Sequence, residues 1–278
     1  MPWTYTDEYY TDYTRSTWNQ AAEPYIALMG RFAPIHQELV RLTRPKRGET
    51  ILDLACGPGE PAMSLARRVR PTGRVVGVDL ARKMLQMARR SARQQGLENL
   101  SFREMNCEKL RLPRASFDGA TSAFGFQIFT NPEQAAAETH RVVKPGGRLA
   151  CCIWSTGDRV PFLDAIIGPM LAHAEPDENG YIPTPYEIGG KGEMVQFLTK
   201  SGFHDATETR VTFDFHLRDA DEYFAVILKG TPIGHSLSEE NTRVQREVLR
   251  DTRVNLRAWT NPDGISIPGE CVFVTARR

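Results

Sequence analysis

Two carboxylates and three small residues carry the clearest chemical signal in this chain. Asp53, Ala55, Gly57 and Gly59 alternate through a short turn, with Glu60 directly after it. Asp79 closes the next apolar run, twenty residues beyond Gly59. Small residues let a backbone approach a ligand closely, and an acid at that spacing suits the two hydroxyls of a ribose. A dinucleotide site asks for Gly-x-Gly-x-x-Gly, and the third Gly is missing here. A pyrophosphate beside Glu60 would also meet like charge. A carboxylate at a strand end favours a ligand with its own positive charge, an ammonium or a sulfonium. The spacing therefore predicts a nucleoside-type cofactor site and disfavours a nicotinamide oxidoreductase.

Alternating elements position these groups. Residues 51–54 are a short apolar run with one acid, consistent with a buried strand, and 62–69 carry apolar residues at helical spacing. Strand, tight turn and helix form a ligand site in an open α/β sheet, with the amides of the helix N-terminus facing the ligand. Further strands are predicted at 75–79, 100–104, 119–123 and 148–154, and helices at 81–95 and 132–143. This alternation implies a parallel sheet with right-handed crossovers. An aromatic helical segment precedes it at 7–43. After Ser155 the rhythm breaks. Helices are predicted at 161–174 (interrupted by Gly168-Pro169), 193–201, 219–229 and 238–253, strands at 207–217 and 270–276, and turns across 175–192.

At 278 residues the chain suits one α/β domain with insertions or two small domains. A net charge of +1 gives no global attraction to nucleic acid or an anionic membrane. Residues 1–8 lack the basic and apolar regions of a signal peptide, and no apolar run reaches membrane-spanning length. The cysteines, at 56, 107, 151, 152 and 271, are odd in number and have no metal-ligand spacing. Buried thiols in a reducing cytoplasm are expected.

The stretch Leu52-Asp53-Leu54-Ala55-Cys56-Gly57-Pro58-Gly59-Glu60 resembles the first motif of class I S-adenosylmethionine (SAM)-dependent methyltransferases, in the branch of the ubiquinone/menaquinone C-methyltransferases. Val76-Gly77-Val78-Asp79-Leu80, Met84-Leu85, Ser116-Phe117-Asp118 and 141–149 (Arg-Val-Val-Lys-Pro-Gly-Gly-Arg-Leu) match in the same order, within roughly the first 155 residues. The resemblance implies an α/β, Rossmann-like sheet of seven mostly parallel strands, the last antiparallel, with helices on both faces and helical lid insertions. Residues 1–45 would be a helical lid segment and 46–278 the SAM-binding domain, with lid insertions at about 156–192 and 218–265.

It also implies roles for particular residues. Ala55, Gly57 and Gly59 cradle the methionine part of the donor, and Asp53 orders that loop or accepts from the ammonium. Asp79 accepts the ribose hydroxyls, while Leu80 and Met84 pack on the adenine. Asn106 stands where the family usually has Asp and accepts from the adenine amine; Cys107 offers its backbone N–H. Ala123 and Phe124 lie under the methionine and the methyl.

Methyl transfer from a sulfonium is an in-line displacement in which alignment supplies much of the rate. A base is needed only where the acceptor must lose a proton. Of six histidines, His235 alone falls in a Gly/Ser/Pro loop of the lid, and it is the candidate base. The competing reading has Ser236 or Ser238 capping a helix that begins near Glu239, with His235 merely preceding it. Tyr10, Tyr13, Trp18 and Tyr186 are candidates to wall an apolar acceptor pocket, against the alternative that they are core.

Nucleic-acid acceptors are disfavoured. Asn131-Pro132 is followed by Glu133-Gln134 rather than a Pro-aromatic pair, and no Pro-Cys follows the fourth strand. The stretch 67–93 has nine basic residues against one acid, a pattern that exposed helix faces also explain. The expected protein is a cytoplasmic methyltransferase with no metal, acting on a small, partly apolar organic acceptor. Its rivals are a SAM-binding protein of this fold catalysing a cyclisation or elimination, and a non-catalytic SAM sensor.

Overall fold

The structure, a computed structural model, describes residues 7–173 and 184–278, with side chains from Thr11 onward. Five parallel strands form the first half of the sheet: β1 (Thr50–Leu54), β2 (Arg74–Asp79), β3 (Leu100–Glu104), β4 (Phe117–Ala123) and β5 (Val143–Trp154). Three more complete it: β6 (His204–Leu217), the two-residue β7 (Thr260–Asn261) and β8 (Gly264–Arg277). The order is β3-β2-β1-β4-β5-β8-β6, with β8 antiparallel to both β5 and β6, and β7 paired to the start of β8. The chain reverses between β3 and β4 to the other side of β1, which opens a crevice at the C-terminal strand ends.

Because successive strand residues point to opposite faces, adjacent apolar residues feed two different cores. Ile51 and Val75 pack under α2 (Ala33–Thr43), α3 (Ala62–Val69) and α4 (Arg82–Gln94). Leu52, Leu54 and Ala120 pack under α5 (Pro132–Val142) and α7 (Glu193–Lys200). Cys151 and Cys152 divide between opposite faces in the same way. All five cysteines are free and buried.

The remaining helices are α1 (Asp7–Met29), α6 (Pro161–Leu171), α8 (Ala220–Gly230), α9 (Pro232–Glu239) and α10 (Thr242–Leu256). α1 runs across α4, α8 and α9, and α6 packs on α10 and β8. Among the described residues no helix is long and apolar enough to cross a membrane.

Three local expectations are corrected. Pro169 does not interrupt α6. A proline ring removes one amide and frees the carbonyl four residues back. That carbonyl, of Ala165, accepts from Asn255 Nδ2 of α10 at 3.2 Å, so tertiary packing takes up what the proline releases. The segment expected as a loop at 231–238 is instead the N-cap Thr231 and the helix α9 (Pro232–Glu239), with Pro232 in its first turn where a missing amide costs nothing. Neither Ser236 nor Ser238 caps the next helix. Asn241 does, its Oδ1 accepting from Arg243 N and Val244 N at 3.1 Å each.

One partly buried ion network ties the post-sheet segment down. Arg210 on β6 donates to Glu208 (2.7 Å), to Ser155 Oγ (2.7 Å) and to Glu270 (3.2 Å), and its remaining nitrogen donates to the Gly189 carbonyl at 3.0 Å. Charged groups on β6 and β8 thus hold the chain around 189 against the end of β5.

Candidate active site

The turn after β1 depends on left-handed backbone at Ala55 (φ 51°), Gly57 (φ 50°) and Gly59 (φ 113°). Asp79, at the tip of β2, organises it. One carboxylate oxygen accepts from Gly57 N and the other from Ala81 N, both at 2.8 Å. Asp79 remains half-buried and lines the cavity beyond. Burial pushes its pKa up, and the backbone amides oppose that shift.

Asp53 lies deeper, with no exposed surface. It accepts from Ala62 N at 3.1 Å and Thr121 Oγ1 at 2.8 Å, joining β1, β4 and the first turn of α3. Glu60 accepts from Ser64 N at 3.2 Å. The leading amides of α3 are therefore bonded to Asp53 and Glu60 rather than free for a ligand, which corrects the expectation drawn from the motif. A helix start whose leading amides are already taken up by Asp53 and Glu60 has no place for a pyrophosphate and suits an uncharged or cationic ligand. Gly59 does not reach the cavity either. A Cβ there would lie 3.1 Å from Met63 and 3.3 Å from Ala88, so its smallness lets α3 and α4 close together.

Burial, with the charges of Glu60 and Asp79 added, raises the Asp53 pKa from 3.8 to about 8, against the hydrogen bonds from Thr121 and Ala62. An acid held above its ordinary value binds its proton more tightly in the folded chain than in the unfolded one. Stability from this group is therefore complete at low pH and falls as pH rises between about 4 and 8. Asp53→Asn keeps an acceptor for Ala62 N and cannot ionise. Its melting temperature relative to wild type should rise from pH 5.5 to pH 8.5 in thermal unfolding. A difference independent of pH would count against the assignment.

A cavity of about 560 Å³ opens over these strand tips, within the range of small-molecule sites. At one end it is lined by Ala55, Gly57, Asp79, Leu80, Met84, Asn106 and Cys107. Asn106 Oδ1 accepts from Glu108 N at 2.8 Å, which fixes its orientation and leaves its second lone pair open. Ala123 and Phe124 lie at the centre. Phe124 is left-handed (φ 61°) and stacks on Trp154 with centroids 4.6 Å apart. A bulky residue held in that region marks strain retained at a working site. The far end is apolar, walled by Phe162 and Ile167 of α6, Ile227 of α8, Leu237 of α9 and Val248 of α10.

The expected acceptor-side residues divide. Tyr13 and Trp18 line the cavity, Trp18 on the nucleotide-facing end beside Ala81 and Met84. Tyr186 does not; its ring lies against Gly157 and its hydroxyl is buried without a hydrogen-bond partner among the described residues, while neighbouring Pro185 reaches the cavity. The Tyr10 side chain lies outside the described residues. His235 is not among the lining residues. On α9 its Nε2 faces Glu239 at 3.4 Å and its ring meets Tyr13 at 5.8 Å, while the next residue, Ser236, faces inward. The loop that made it a candidate base is a helix, and the helix turns it aside. Sequence reasoning passed over Tyr25, Phe32, Gln127 and Trp154, all of which line the cavity. The spacing of Thr11, Thr14, Trp18, Tyr25, Leu28 and Phe32 is that of one helix face and was the available signal. No three His, Cys, Asp or Glu side chains cluster as a metal set among the described residues.

A sheet of order 3-2-1-4-5 extended by an antiparallel hairpin, with an acid-anchored turn at the tips of β1 and β2, defines a Rossmann-like SAM-dependent methyltransferase. The model of the ubiE/COQ5 methyltransferase family matches residues 30–165. A 2-phytyl-1,4-naphtoquinone methyltransferase of a Nostoc species is 31% identical over 207 residues, covering 65% of this chain and 90% of that protein. A demethylmenaquinone methyltransferase of Geobacillus kaustophilus is 28% identical over 187 residues, covering 64% and 80%. The crystal structure of the YcgJ protein of Bacillus subtilis has the same fold, with a TM-score of 0.59, 16% identity and coverage of 87% and 97%. The chain belongs to the ubiE/COQ5 methyltransferase family.

Proposed function

We propose that this methyltransferase acts on a small apolar aromatic acceptor of the hydroquinone type, and that the two ends of the cavity divide the work. Asp79 accepts the ribose hydroxyls, Leu80 and Met84 flank the adenine, and Asn106 and Cys107 meet its edge. Ala55 and Gly57 receive the methionine part, with Asp53 and Gly59 shaping the turn from behind. Ala123 and Phe124 support the reacting centre. Trp18 closes the nucleoside end and Tyr13 the mouth, where its hydroxyl meets Ser236 Oγ at 3.4 Å. Residues 1–45 and the insertions at about 156–192 and 218–265 act as the lid.

The observation that carries this reading is the pairing of an acid-anchored turn with an aromatic and aliphatic wall in one cavity. The relatives act, by name, on naphthoquinone-type rings, which such a wall accommodates. When bound, the donor supplies a methyl on a positively charged sulfur, a leaving group that asks for no metal. A ring carbon of the acceptor would take that methyl as the methyl–sulfur bond breaks, releasing S-adenosylhomocysteine, and the proton on that carbon would then pass to solvent. The chain contributes alignment and exclusion of water. No histidine lines the cavity among the described residues, which favours an electron-rich ring that is nucleophilic without a strong base. Free, buried thiols suit a reducing cytoplasm, where we place the reaction.

The test is direct. Methyl-labelled donor and a reduced, short-chain 2-demethylmenaquinone analogue should give a labelled ring product by mass spectrometry. Binding of S-adenosylhomocysteine without any labelled product would remove the acceptor class.

A further inference from the structure

Tyr25 stands at the boundary between the two ends of the cavity. Its ring packs on Ala81, Met84 and Trp18 at the nucleoside end and also on the large apolar cluster containing Phe32, Phe124 and Trp154. It meets Trp18 edge-on at 5.5 Å and Phe32 at 6.3 Å. Being gripped on both sides leaves the ring little rotational freedom. It lines the cavity together with Asp79 at the tip of β2, Phe124 just after β4 and Trp154 at the end of β5. The phenol of an α1 residue is thus held over the middle of the sheet edge, where a transferable methyl and its acceptor would meet.

Several other hydroxyls on this wall are already bonded within their own helices. Thr17 donates to the Tyr13 and Thr14 carbonyls, Thr231 to that of Ile227, and Ser236 to that of Pro232. The Tyr25 hydroxyl has no hydrogen-bond partner among the described residues. Burial, reinforced by the nearby Asp79 carboxylate, pushes its pKa well above the ordinary value, so it remains an O–H donor. An unmet phenol facing a largely apolar cavity gains from a ligand oxygen placed opposite it.

Building on the proposed acceptor class, we propose that Tyr25 donates a hydrogen bond to an oxygen of the acceptor ring and thereby fixes which ring atom faces the methyl. It is a substrate-positioning residue, set in place by Trp18 and Phe32, and the donor turn at 55–59 does not depend on it.

The experiment compares the full chain with Tyr25→Phe, which preserves the ring packing. Calorimetry with S-adenosylhomocysteine should give affinities within about twofold of each other. With the reduced naphthoquinone analogue, kcat/KM should fall at least tenfold, about the worth of one hydrogen bond. The labelled product should also spread over more than one ring position by NMR. Wild-type kcat/KM with a single unchanged product in Tyr25→Phe would overturn the role, as would a loss of S-adenosylhomocysteine affinity equal to the loss in kcat/KM, since the phenol would then serve the donor. A wild-type chain that binds S-adenosylhomocysteine but labels no reduced naphthoquinone removes the acceptor class and this role together. Labelling by wild type with an unaltered variant removes the role alone.

Discussion

Asp79→Ala should weaken S-adenosylhomocysteine binding by roughly ten- to hundredfold, the loss expected when hydrogen bonds to a charged group go unmet. Two losses add in this variant. The ribose hydroxyls lose their acceptor, and the amides of Gly57 and Ala81, each 2.8 Å from the carboxylate, lose theirs. The second loss loosens the turn that presents Ala55 and Gly57 even where the ligand touches no part of Asp79. Asp79→Asn should fall between the two proteins, because the amide keeps one acceptor oxygen and turns its NH₂ toward a backbone N–H. Calorimetry on proteins of matched melting temperature checks the order. Unchanged affinity in the alanine variant would remove Asp79 from the donor site.

Gly234→Ala should damage the apolar end while sparing donor affinity. A Cβ at Gly234 would fall 1.6 Å from the Leu228 carbonyl oxygen and 2.4 Å from its carbon, both backbone atoms that cannot swing aside. α9 must then shift relative to α8, carrying Ser236 and Leu237 away from the cavity. Overpacking of this kind costs about 1–3 kcal/mol, so a lower melting temperature should accompany a marked fall in kcat/KM for the acceptor. The turn at 55–59 makes no contact with this crossing, and S-adenosylhomocysteine affinity should stay within a few-fold of wild type. Equal stability and turnover in the variant would mean that α9 does not shape the acceptor end.

What could be read from sequence followed from locality. The turn at 53–60, the acid at 79 and the alternation of strands and helices through 154 are short-range patterns, and each lies where its spacing placed it. β6 and β8 emerge longer than predicted, because each extends the other across their antiparallel pairing and neither extension is visible in its own residues. The 231–238 segment misled for a related reason. Its Gly, Ser and Pro suit a loop locally, yet Gly234 is required by the crossing with α8 and Pro232 by the helix start. Once the loop became a helix, His235 pointed away and Ser236 inward. The part played by Asp53 was legible only in part. Its position next to the turn was plain, but its bond to Thr121 requires knowing that β4 lies beside β1. Tyr25 was legible only as one of a row of aromatics at helical spacing, which carries no sign of what stands on either side of it.

The family match ends at residue 165, whereas Ile227, Leu237 and Val248 all lie beyond it. Much of the acceptor wall is therefore written in a later stretch of the chain than the donor grip, although Phe162 lies within the match and Tyr25 ahead of it. Natural variation in the later stretch can redraw the guest list while the earlier one goes on handling the same nucleoside. Chimaeras joined after β5 are the natural way to trade one specificity for another.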